Sequence, residues 1–191
     1  MLPAQTIDEF TRLLERRALS SLFLDTGYNR RFTGDIIEYK EIFDEHVGDA
    51  WDIIFPCASG RSNAGGYLPS ELFNPDDFDG NLSRKLLKIF NVVGRECPAI
   101  VFFGYDQSDY FIYPLKRLRG EWQEHFYEIG EIALKSSQEN GHLADVELKA
   151  QTMREVRNYL GPRFRFETVG RVTGLFAQVV GAASSAVSML K

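Results

Sequence analysis

Two thiols set the limits of covalent chemistry in this chain. Cys57 and Cys97 are its only cysteines, and no Cys-x-x-Cys is present. Dithiol exchange through that motif is therefore excluded, because the attacking group must be a thiolate with a resolving partner at hand. Cys57-Ala58-Ser59-Gly60-Arg61-Ser62 follows an apolar run, where a cysteine nucleophile and a phosphate loop would lie. Three residues between Cys57 and Arg61 are too few for loop amides and guanidinium to surround one phosphate. The glycine-rich continuation has no lysine and is not a Walker loop. His46, His125 and His142 have no metal-ligand spacing. Asp76, Asp77 and Asp79 lack the EF-hand pattern and read as a polar turn. No metal, cofactor or catalytic residue is predicted.

The elements that would position these groups follow from periodicity. A helix opens the chain, with Thr6 and Glu9 as a capping box and Ile7, Phe10, Leu14 and Ala18 on one face. Residues 21–26 read as a short strand ending at Gly27. A helix begins near Thr33 with Ile36, Tyr39, Phe43 and Val47 as its stripe, stopped by Gly48. Residues 51–55 form a second strand, apolar enough to be covered on both faces. Residues 57–81 read as irregular, a length that is uncommon inside a compact domain and often functional. Leu82, Leu86, Ile89 and Val93 mark a third helix, ended by Gly94. Ala99–Phe103 and residues 110–113 form a hairpin, and a helix with Trp122, Phe126, Ile129 and Ala133 inward follows. From residue 21 to 137 the order is βαβαββα, with a parallel pair and an antiparallel edge.

That order, with Pro98 opening an apolar strand, resembles thioredoxin-like proteins. The resemblance covers the middle of the chain, residues 19–140, and implies an α/β fold in which Pro98 is cis and lies beside the active-site position. The family's two cysteines would sit at the start of the helix after the first core strand. This chain has Gly27-Tyr28-Asn29-Arg30-Arg31-Phe32 there, so the resemblance implies a redox-inactive member. Arg30 and Arg31 at a helix N-terminus suit an anion or a partner's carboxylate, or form an ordinary exposed turn. Cys97 would lie near the vacant position, as an inert buried residue or as a lone reactive thiol.

Before the core stand residues 1–18, read as the N-terminal helix; after it comes an extension, 141–191. The extension reads as a helix through Val146, Ala150, Met153 and Val156, a half-exposed strand over 163–169, and a helix over 172–190 without a single charge. Gly174, Gly181, Ser185 and Ser188 leave room for another helix to approach, while Phe176 lies on the apolar half. The helix either packs on protein, through self-association, or inserts in a membrane, for which its length is marginal.

Net charge is −5. That balance argues against nucleic acid as the main partner, and the charged N-terminus is unlike a signal peptide. The expectation is a cytoplasmic, non-catalytic protein-binding or assembly module. Its binding residues would be Tyr28, Asn29, Arg30, Arg31, Phe32, Arg61, Cys97 and Pro98; Gly174, Phe176, Gly181 and Ser185 would mediate self-association or membrane contact. The alternatives are a membrane-acting effector inserting its C-terminal helix and a single-cysteine thiol enzyme using Cys97.

Overall fold

Alternation of buried side chains across the strands divides the interior into two layers. The computed structural model describes residues 1–5, 7–14, 19–27, 30–58, 73–104, 110–115 and 122–161. In chain order these form β1 (Leu2–Ala4), α1 (Ile7–Leu14), β2 (Leu19–Leu24), α2 (Arg30–Glu38), α3 (Lys40–Val47), β3 (Trp51–Pro56), α4 (Gly80–Ile89), β4 (Ala99–Phe103), β5 (Tyr110–Pro114), α5 (Trp122–Glu139) and α6 (Asp145–Leu160). The strands make one five-stranded mixed sheet in the order β1-β3-β2-β4-β5. β1 and β2 run parallel to β3. β4 is antiparallel to both β2 and β5.

Every residue of β2, β3 and β4 is buried, the polar Ser20, Ser21 and Asp52 included, as in central strands covered by two layers. Successive side chains point to opposite faces. Along β4, Ile100 and Phe102 therefore join one cluster with Phe23, Phe43, Trp51 and Phe126. Ala99, Val101 and Phe103 join the other, with Phe10, Leu86 and Phe90. Helices α2, α3, α5 and α6 cover the first face; α1 and α4 cover the second.

Several elements depart from the sequence reading. The chain opens on a strand before its first helix: β1 pairs Leu2 with Ile54 and Ala4 with Pro56. The helix expected from Thr33 to Gly48 begins at Arg30 and is divided at Tyr39, whose ψ is −4°. Its hydrogen bonding nevertheless continues, through Tyr39 N to Asp35 O and Phe43 N to Tyr39 O. Asn91, with φ 53°, stops α4 before Gly94 is reached. Val92 N donates to Leu87 O and Asn91 N to Lys88 O, the paired bonds of a Schellman ending. Val93, placed on the apolar stripe from its spacing, is consequently exposed.

The irregular stretch expected over 57–81 is built at its far end. Asn74 caps a 3₁₀ turn at Pro75–Asp77, and Asp79 caps α4 by accepting from Asn81 N and Leu82 N. In α6 the inward face is Leu148, Thr152, Val156 and Leu160, whereas Val146 and Ala150 are exposed. Thr152 bonds Ser136 and Tyr159 bonds His125, so α6 runs antiparallel to α5. The Cys97–Pro98 peptide bond is cis. The strand expected over 163–169 and the helix over 172–190 lie outside the described residues, and no helix among the described residues is long and apolar enough to cross a membrane.

Candidate functional site

Parallel β2 and β3 finish at the same end of the sheet at which antiparallel β4 begins: Leu22 faces Ile54, and Leu24 faces Ala99. The turn leaving β2 is fastened to α4 there. Asp25 N donates to Ser83 Oγ at 2.9 Å, and Ser83 Oγ donates back to Asp25 O at 2.7 Å. Arg84 Nη1 donates to Thr26 O at 2.7 Å, and its other nitrogen reaches Asn81 Oδ1. Gly27 has φ 82°, and a Cβ on it would stand 3.6 Å from Gly80 Cα, so the two backbones approach closely at glycine.

Asp25 itself is 1% exposed. Its Oδ2 accepts from Gly27 N at 3.2 Å and from Thr33 Oγ1 at 3.1 Å, which fixes the entry into α2. Beside it opens a hollow of about 790 Å³ between the starts of α2 and α4 and the end of β3. Arg31, Asp35 and Glu38 line it from α2; Asp76, Phe78 and Asp79 line it from the opposite side.

Two of the three carboxylates weighed as a cation site are spent on backbone. Asp77 is buried and accepts from Asn74 N at 3.1 Å, and Asp79 is the α4 cap. No group of acidic, histidine or cysteine side chains among the described residues is arranged to hold a metal. His46 instead stacks on Tyr127 with centroids 4.2 Å apart and reaches Glu131 Oε1 at 3.2 Å. His125 Nδ1 meets Tyr159 OH at 3.1 Å.

Of the residues expected to bind, Arg31 is exposed on the hollow. Phe32 is half-buried and meets Trp122 edge-on at 6.3 Å, so it packs on the core. Cys97 and Pro98 are buried at the start of β4, next to the hollow's end of the sheet. Arg30 opens α2. Tyr28, Asn29, Arg61, Gly174, Phe176, Gly181 and Ser185 lie outside the described residues.

Both thiols are buried, Cys57 in the first cluster and Cys97 in the second. Burial, then the charges of Asp77, Asp79 and Glu9, push the Cys57 thiol up to about 11. A thiol so placed is a poor nucleophile at neutral pH. Iodoacetamide at pH 7.5 is accordingly expected to modify neither cysteine in the folded protein on the timescale that labels the unfolded chain. Rapid modification of Cys97, read by peptide mass, would restore the thiol-enzyme alternative.

One constellation escaped the spacing argument. Lys149 Nζ donates to Ser20 Oγ at 2.9 Å, and both residues are 0% exposed. Burial holds the lysine down to about 8, against which the charge of Asp52 acts. A lysine of lowered basicity on a serine is the arrangement of a base and its nucleophile. Here it is buried between α6 and the sheet. Its only sequence signal is that Lys149 falls between the inward positions Leu148 and Thr152.

No family model matches this chain, and no curated protein or solved structure matches it.

Proposed function

We propose that this chain is a redox-inactive thioredoxin-like module that binds protein partners and assembles, rather than one that transforms a substrate. The observation that carries the reading is the character of one end of the sheet. Where the resemblance puts a redox pair, α2 opens on Arg30 and Arg31. The two thiols of the chain are buried, one in each core layer. What that end presents is a charged hollow walled by α2 and by the segment leading into α4. The parallel β2–β3 pair, the β4–β5 hairpin and Pro98 just before β4 support the thioredoxin-like part of the proposal.

Assembly is assigned to the uncharged segment 172–190, whose small residues permit close helix approach. Light scattering on the full chain and on a chain ending at Gly170 tests it, each with and without vesicles of phosphatidylcholine and phosphatidylglycerol. The full chain is expected to be a soluble oligomer and the shortened one a monomer. Equal masses would overturn the assembly reading. Transfer of the full chain alone to vesicles would replace it with the membrane-effector reading.

A further inference from the structure

β5 is an edge of the sheet, and its ladder shows which of its backbone groups face outward. Leu115 N donates to Pro98 O at 2.8 Å, and the register continues with Tyr113 opposite Ile100 and Phe111 opposite Phe102. Bonded and non-bonded pairs alternate along an antiparallel ladder. Tyr113 and Phe111 therefore bond to β4, while the N–H and C=O of Ile112 and Tyr110 point away from it. Among the described residues no strand takes up that side. An apolar edge left open invites stray pairing, and proteins cover such edges. Ile112 is also the one residue of β5 that is only half-buried, and it packs against the layer that α1 and α4 cover.

Where α6 delivers the chain identifies the occupant. β4 begins at the end of the sheet that carries the hollow, so antiparallel β5 finishes there. Trp122 places the start of α5 at that same end, by meeting Phe32 in the first turn of α2. Tyr159, in the last turn of α6, bonds His125 in the first turn of α5. The chain thus leaves α6 at the end where β5 finishes. Only Gly161 and Pro162 separate Leu160 from Arg163-Phe164-Arg165-Phe166-Glu167-Thr168-Val169, which lies outside the described residues and alternates with the period of a strand. Proline suits the entry to an edge strand. So short a link also gives this segment a high effective concentration at the edge, ahead of any second molecule. Setting Phe164 opposite Ile112 and Phe166 opposite Tyr110 meets the outward backbone groups in antiparallel order. It puts both rings on the face where Ile112 is half-buried, as aromatic cross-strand pairs.

We propose that residues 163–169 form a sixth strand, antiparallel to the outer edge of β5 in the same molecule, in that register. The uncharged segment 172–190 then starts from the end of the sheet away from the hollow, which keeps an assembling tail clear of the partner-binding end. The test is the cysteine pair Ile112→Cys/Phe164→Cys in the full chain, oxidised with diamide and read by non-reducing electrophoresis and peptide mass. A disulfide within one chain is expected, and none is expected for Ile112→Cys/Arg165→Cys, whose second position falls on the opposite face. The second measurement is hydrogen exchange by amide NMR. The Ile112 amide should exchange at least about tenfold faster in Phe164→Pro/Phe166→Pro than in the parent, while that of Tyr113, bonded to β4, keeps its rate. A disulfide between two chains would make a second copy's tail the occupant and overturns the proposal. So does an Ile112 amide that exchanges equally fast in both proteins. The strand lies ahead of Gly170, so the mass comparison reads assembly with the strand in place, and failure of either reading leaves the other standing.

Discussion

Lys149→Met is expected to lower stability by about 1–3 kcal/mol at pH 7, the cost of leaving buried polar groups without their donor, offset in part by removing the desolvated ammonium. The methionine keeps much of the volume but leaves Asp52, 5% exposed, without the cation whose field it shares, and Ser20 without its donor. Urea unfolding of the single variants and of Lys149→Met/Asp52→Leu checks the mechanism. The double variant should recover most of the loss, because an apolar pair requires no desolvation of charge. A double variant as unstable as the sum of the singles would show that the two residues act independently.

The same lysine sets a pH dependence. Its folded value is about 8 and its ordinary one 10.5. Between those values the unfolded chain holds a proton that the folded chain has released, so stability rises with pH across the window. The full effect is about 3 kcal/mol, at 1.36 kcal/mol per unit. Cys57 works in the opposite direction. Its folded value of about 11 stands above the usual 9.0, so the folded state keeps a proton the unfolded chain has lost, and stability falls from about 9 upward. The rise is therefore clearest between pH 8 and 9. Lys149→Met should flatten it, which denaturant midpoints at those two pH values would reveal.

Gly130→Ala is expected to destabilise, against the direction that helix propensity gives. Alanine inside a helix gains about 1 kcal/mol over glycine. Yet a Cβ at this position in α5 would stand 2.4 Å from Val47 Cγ1 and 3.2 Å from His46 Cδ2 on α3. Val47 is 0% exposed, and its branched side chain has few alternative rotamers. Relief requires α3 to move off α5, and overpacking of this kind costs about 1–3 kcal/mol. The net loss, up to about 2 kcal/mol, should lower the melting temperature by up to several degrees, at about 2–4 °C per kcal/mol for a chain of this size. Adding Val47→Ala should return part of the loss. A higher melting temperature for the single variant would mean that the helices separate freely.

The parts legible in the sequence are those whose signal is local. β4 shows as an unbroken apolar run, β2 and β3 show through Leu22-Phe23-Leu24 and Ile53-Ile54-Phe55, and α5 shows through Trp122, Phe126, Ile129 and Ala133, all buried as their spacing requires. β1 was illegible because its three residues, one of them a proline, become a strand only through pairing with the distant end of β3. The end of α4 was misread because glycine is the usual left-handed residue, and Asn91 takes that role three residues before Gly94. The inward face of α6 was misread because Thr152 and Lys149 count as surface residues in any hydropathy pattern. They are inside because Ser136 and Ser20 receive them. At the hollow, Arg31 was visible from its place at a helix start. Asp25 was not, since nothing local distinguishes a carboxylate under a turn from one on it. The excess of acid around it appears only when α2 and the segment before α4 are brought together.

The division of the interior into two layers has a spectroscopic consequence. Trp51 and Trp122, the chain's two tryptophans, both belong to the layer beneath α3 and α5. Each lies edge-on to Phe126, with centroids 5.6 Å and 5.1 Å away. Intrinsic fluorescence therefore reports on that layer and is blind to the one that α1 and α4 cover, where Phe10, Phe90 and Phe103 are dark beside tryptophan emission. If the α1–α4 side loosens first, emission will hold steady while helical ellipticity and amide protection decline. A melting curve taken by fluorescence alone would then record the survival of half the interior as the survival of the whole.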